Sequence, residues 1–167
     1  MDKGSVHIFC GEGKGKTTAA IGQGIRAASQ GKSVIVIQFL KGRMVEEISF
    51  LQRLEPEIKL FRFEKSDESF DSLSAEEKEE EAQNIRNGMN FAKKVLVTEG
   101  CEVLILYEVL GLIEHGIVTI DDIRTLIEAK DDETELIMTG ICNGQELWDC
   151  VDEVTQMSTI HKIENNC

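Results

Sequence analysis

Cys10-Gly11-Glu12-Gly13-Lys14-Gly15-Lys16-Thr17-Thr18-Ala19-Ala20 is the stretch whose reading decides the fold. It follows Val6 to Cys10, which reads as a short buried strand. It precedes Ala20, Ile21, Gly24, Ile25 and Ala28, which recur at helical spacing up to a stop at Gly31. Strand, glycine loop and helix in that order form the setting in which such a run binds phosphate. Glycines let the backbone fold around an anion so that successive N–H groups point inward. The helix beginning near Lys16 adds its positive N-terminal end. Gly11, Glu12, Gly13, Lys14, Gly15, Lys16, Thr17 and Thr18 are therefore the candidate ATP contacts, with the Lys16 ammonium against the outer phosphates and the Thr17 hydroxyl on Mg²⁺. The run departs from G-x-x-x-x-G-K-[ST] in one way: three residues separate Gly11 from Gly15, and Cys10 stands where the first glycine is usual.

Outward from the loop, strands and helices alternate. Ser33 to Phe39 is a continuous apolar run suited to a strand covered on both faces. Met44 to Leu54 reads as helix ended by Pro56, and Ile58 to Phe63 as a strand. Ser74 and Glu77 form a capping box for a long helix striped by Ile85, Met89, Ala92, Val95 and Leu96. Its acidic start, Glu76 to Glu81, reads as a solvated face. Val103 to Tyr107 is a further strand, Thr119 and Asp122 open a helix carrying Ile123, Leu126 and Ile127, and Glu135 to Thr139 is a strand again. Asn143 caps a short helix through Trp148 with Glu146 at the reciprocal position, and Val154 to Met157 with Ile160 to Ile163 predict a closing strand or hairpin. The alternation predicts an α/β, P-loop NTPase-like three-layer fold, a mostly parallel central sheet flanked by helices, with residues 1–167 forming one domain.

Charge and composition narrow the partners. The balance of 18 basic against 31 acidic residues gives a net charge of −13, which disfavours nucleic acid and anionic membranes. No apolar stretch approaches the roughly 18 residues of a membrane span. Met1 to Gly4 runs straight into the first strand without a cleavable leader, so a cytoplasmic location is expected. Five cysteines lack close spacing and three histidines are scattered, so neither a disulfide framework nor a structural zinc site is expected.

An Mg-nucleotide site of this kind takes an acid from the end of a neighbouring strand. Leu104-Ile105-Leu106-Tyr107-Glu108 puts Glu108 in that place, as a second candidate ligand of Mg²⁺ beside Thr17.

These residues resemble the ATP:corrinoid adenosyltransferases, the cob(I)yrinic acid a,c-diamide adenosyltransferase family. Gly11 to Ala20 is similar to that family's G-x-G-K-G-K-T-T-A-A, shortened spacing included, and Gln38-Phe39-Leu40-Lys41-Gly42 to its Q-F-[LI]-K-G. Arg26-Ala27-Ala28 with Gly31, Leu106 and Glu108, Thr139-Gly140, and Asp152 to Met157 extend the likeness over nearly the whole chain, loosely between Glu55 and Lys94. The resemblance implies transfer of the 5′-deoxyadenosyl group of ATP to the cobalt of a reduced corrinoid, releasing triphosphate. It implies Lys16 and Thr17 on phosphate and metal, Glu108 assisting Mg²⁺, and Arg26, Gln38 and Lys41 near nucleotide or corrinoid. Bulky apolar residues excluding the lower axial ligand of the corrinoid would be Phe61, Phe63 or Phe70, residues that also read as core. Two positions depart from the family: Tyr107 replaces a strand-end Asp and Ile141 replaces the arginine of T-G-R.

Three functions stay open at this point: the adenosyltransferase, a relative that binds ATP or corrinoid without turnover, and a P-loop NTPase cleaving the γ-phosphate. The expected partners are small molecules, ATP and a corrinoid. A reductase that supplies cobalt(I) and a second copy of the chain are further candidates.

Overall fold

The computed structural model describes residues 4–40 and 50–164. Six strands, β1 (Val6–Cys10), β2 (Val34–Gln38), β3 (Ile58–Arg62), β4 (Val103–Tyr107), β5 (Glu135–Thr139) and β6 (Glu153–Gln156), pair in the order β3-β2-β4-β5-β1-β6. Every pairing is parallel, more uniformly than the mostly parallel sheet expected. All strand C-termini therefore lie along one edge, which is where open α/β sheets bind ligands.

The alternation of side chains along the strands divides the core in two. Phe9, Val34, Val36, Val103, Ile105 and Ile137 pack on one face with Ala20 and Ala27 of α1 (Lys16–Ser29). Ile8, Cys10, Ile35, Ile37, Leu104, Leu106 and Met138 pack on the other with Ile85, Ala92, Val95 and Leu96 of α2 (Ala75–Val97) and Ile123, Leu126 and Ile127 of α4 (Ile120–Glu128). Helix, sheet and helix make three layers. A short α3 (Gly111–Glu114), absent from the sequence reading, follows β4. Among the described residues no helix is long and apolar enough to cross a membrane.

The predicted caps form. Ser74 Oγ accepts from Glu77 N while the Glu77 carboxylate accepts from Ser74 N, and Thr119 and Asp122 do the same at α4. Elsewhere boundaries move. β2 is shorter than Ser33 to Phe39 by one residue at each end, and β3 stops at Arg62, leaving Phe63 just beyond it. Most of the helix expected from Met44 lies outside the described residues, and Gln52–Leu54 is a 3-10 turn. Asn143 does not cap an α-helix. Its side chain accepts from Gln145 N at 3.1 Å, Gly144 turns with φ 58°, and a 3-10 segment Gln145–Cys150 follows. No strand forms at Ile160 to Ile163, because nothing packs on the Ile160 side chain, which is 98% exposed.

Candidate nucleotide site

The loop between β1 and α1 is shaped by backbone conformations that side chains oppose. Gly11 has φ 105° and Gly15 has φ 112°, both in the left-handed region. A Cβ on Gly11 would also sit 2.3 Å from the Met157 carbonyl oxygen. Three backbone bonds fasten the loop to its neighbours: Gly11 N–H donates to Ile141 O at 3.1 Å, Gly13 N–H to Met157 O at 2.9 Å, and Met157 N–H to Cys10 O at 2.8 Å. Gly15 precedes α1 and brings no side-chain cap, so the first-turn N–H groups are left to an outside acceptor. The Lys16 ammonium bends back to donate to Gly13 O at 3.1 Å. Thr17 is half-buried behind it, and Glu12, Lys14 and Thr18 are exposed.

Glu108 arrives from two strands away. It follows β4 with φ 60°, and its N–H donates to Thr139 Oγ1 at the end of β5 at 2.9 Å. Burial pushes its carboxyl up from the ordinary range, the Lys16 ammonium opposes that, and Glu114 adds to it. Lys16 thus acts on Glu108 across the strand ends, and it also draws down the Cys10 thiol, which burial raises. A half-buried carboxylate whose charge is disfavoured by burial, on the same sheet edge as the glycine loop, could be met by a hard cation. Among the described residues no three His, Cys, Asp or Glu side chains converge. The side chains that could hold a Mg²⁺ here, with phosphate oxygens and water, are Thr17 and Glu108.

The remaining candidates fall into separate places. Gln38 is buried at the end of β2, in register with Tyr107 and Arg62. Phe61 and Phe63 meet Phe91 of α2 in tilted ring contacts, with centroids 4.8 and 5.5 Å apart, and pack against the core. Arg26 is exposed in the last turn of α1, about 15 Å along the helix from Lys16 at ~1.5 Å per residue. The structure does not bring it to the loop. Lys41 lies outside the described residues. Tyr107 is half-buried beside Glu108, and its carbonyl accepts Phe39 N–H at 2.9 Å. Ile141 gives the loop its carbonyl but leaves its side chain 53% exposed at a cavity of about 420 Å³ shared with Gly11, Glu12 and Met157.

A larger cavity, about 760 Å³, opens at the far end of the sheet. Glu99, Glu102, Asp131, Glu133 and Glu135 line it, and that charge repels a triphosphate. Two residues of the site appear in the sequence only as parts of a likeness, without a role. Thr139, which orients Glu108, becomes visible only once β5 is known to lie between β1 and β4. Met157 acts through its backbone, which leaves no mark on residue type.

The family described as ATP:corrinoid adenosyltransferase BtuR/CobO/CobP matches residues 2–166. The corrinoid adenosyltransferase of Escherichia coli K12 is 25% identical over 159 residues, covering 95% of this chain and 79% of its own. The corrinoid adenosyltransferase CobA of Salmonella typhimurium LT2 is 24% identical with the same coverage. Among solved structures, the KaiC-like protein PH0186 of Pyrococcus horikoshii superposes with TM-score 0.60 at 16% identity, covering 96% of this chain and 76% of that one. That likeness concerns the fold alone.

Proposed function

We propose, from the premise that this chain belongs to the ATP:corrinoid adenosyltransferase family, that it transfers the 5′-deoxyadenosyl group of Mg-ATP to the cobalt of a reduced corrinoid. The carrying observation is that the glycine loop with Lys16 and the strand-end Glu108 share the C-terminal edge of an all-parallel sheet, where the Lys16 charge acts on the Glu108 carboxyl. In the reaction cobalt(I) supplies the electron pair of the new cobalt–carbon bond. The carbon 5′–oxygen bond breaks, and its pair leaves with the triphosphate. Cobalt(I) is a strong nucleophile, so the chain needs no Ser, Cys or His to attack. Its work is to hold the reactants in line and to stabilise the departing charge.

Lys16 and the α1 N-terminus would stabilise that charge, with Mg²⁺ held by Thr17 and Glu108. Gly11 to Thr18 would grip the phosphates, while Gln38, Phe61 and Phe63 stand on the β2–β3 side, where a corrinoid would approach. The working protein would be a cytoplasmic single domain drawing cobalt(I) from a reductase.

The test is anaerobic. Protein, Mg-ATP and chemically reduced cob(I)alamin or cobyrinic acid diamide are mixed and the visible spectrum followed. A light-sensitive adenosylated product with triphosphate released is expected, and no product in the presence of bound ATP would refute the transfer. That second outcome would favour the binding-only reading, which rests on Tyr107 at the strand end and on the uncharged Ile141 side chain beside the loop.

A further inference from the structure

We infer that Met157 is a positioning residue of the nucleotide site: the segment leaving β6 is a brace that holds the phosphate loop in its binding shape. The inference rests on the nucleotide-binding part of the proposal above and not on the transfer.

The brace is anchored before it reaches the loop. Asp152 Oδ2 accepts Val6 N–H at 2.7 Å, Val6 O accepts Asp152 N–H at 2.9 Å, and His7 Nε2 meets Thr155 Oγ1 at 2.8 Å. β6 then runs in register with β1 up to the pair Cys10 and Gln156. Met157 is the next residue, and everything from Ser158 to Glu164 is exposed. The first residue past the anchored strand is thus the one that touches the loop.

Its contacts pinch the loop from both sides. Met157 N–H holds Cys10 O where the loop begins, and Met157 O holds Gly13 N–H at its middle. Its Sδ lies 3.4 Å from where a Cβ on Gly15 would stand. A Cβ on Gly13 would come within 2.8 Å of Met157 C, Met157 O and Ser158 N. Gly11 and Gly13 are therefore glycines for a reason besides phosphate: the brace occupies the space of their side chains. Three hydrogen bonds thus meet on Gly13 and Met157: Lys16 Nζ to Gly13 O, Gly13 N to Met157 O and Met157 N to Cys10 O.

The experiment measures Mg-ATP affinity by calorimetry and amide exchange by mass spectrometry, with no corrinoid present. Met157→Pro deletes the N–H and should raise the Mg-ATP Kd about tenfold or more, whereas Met157→Leu, which keeps both backbone bonds, should stay within about twofold. In the unaltered chain, Mg-ATP should slow exchange in peptides covering residues 155–158. A folded Met157→Pro variant with the original Kd, exchange indifferent to Mg-ATP, or an unaltered chain that binds no Mg-ATP would each overturn the inference. If Met157→Pro does not fold, the exchange measurement decides alone. Intact Mg-ATP binding without adenosylated product would refute the transferase and leave the brace standing.

Discussion

The β1–β5–β6 half of the edge and the β2–β3 half are built by different means. In the first, backbone meets backbone: Gly11 with Ile141, Gly13 with Met157, Met157 with Cys10. In the second, side chains do the holding. Phe61 and Phe63 lean on Phe91, and Gly88 of α2 makes room for Phe39 and Phe63, since a Cβ there would lie 3.0 and 3.1 Å from their rings. A backbone cradle demands glycine at fixed places and so writes itself into the sequence. A packed aromatic cluster accepts many residue combinations of similar volume, and the likeness to the family is correspondingly loose between Glu55 and Lys94.

The contrast predicts that the two halves fail separately. Lys16→Ala should have the largest effect. Losing a charge from a partly buried phosphate contact costs about 2–5 kcal/mol, or about 30-fold to several thousandfold in Mg-ATP affinity, measured by calorimetry. Urea denaturation without nucleotide should be nearly unaltered. Gly88→Val should do the reverse. Overpacking against Phe39 and Phe63 should lower stability by about 1–3 kcal/mol in urea and leave Mg-ATP affinity within about twofold. A Gly88→Val variant that keeps its stability and loses Mg-ATP would break the division between the halves.

That division also marks what could be read in the sequence. The strand–loop–helix unit, the capping boxes at Ser74 and Thr119, and the placement of Glu108 at a strand end all follow from local rules. The strand order does not, because which strands neighbour β1 depends on crossovers that no local pattern records. Thr139 therefore stands in the sequence as a likeness without its role, and Met157 as no more than the end of a candidate strand. Arg26 shows the converse error of distance: a position close in sequence to the loop lies at the far end of α1. Apolar spacing alone predicts a strand at Ile160 to Ile163, and with no strand pairing there the segment forms none and stays exposed.

A smaller effect is expected where the chain departs from its family. Ile141→Arg would restore a cation at the exposed mouth of the cavity beside the loop. An exposed ion pair contributes about 0.2–1 kcal/mol, so Mg-ATP should bind at most about fivefold tighter, the gain fading with added salt. A gain far larger than that would mean the cavity is drier around a bound triphosphate than around the free loop. Tyr107→Asp should leave ATP affinity within that range and act, if the transfer occurs, on its rate.

Glu108 stands where the halves meet, and its titration gives the finest measure of their coupling. Burial holds its folded pKa above the 4.5 of an unfolded glutamate. Between that value and the raised one, the folded chain binds more protons than the unfolded chain, so this group lowers stability as pH rises through the window and adds no further slope above it. Glu108→Gln does not titrate, so its stability relative to the original chain should climb across the same window and then level, as thermal unfolding at stepped pH would record. Mg-ATP affinity should run the other way. A cation needs the carboxylate charged, so affinity in the original chain should weaken as pH falls through the raised pKa, earlier than for an exposed carboxylate, while Glu108→Gln shows no such step. Because Lys16 opposes the raised pKa, Lys16→Ala should move both steps to still higher pH. Steps that ignore Lys16 would mean that the loop and the end of β4 do not share one electrostatic site.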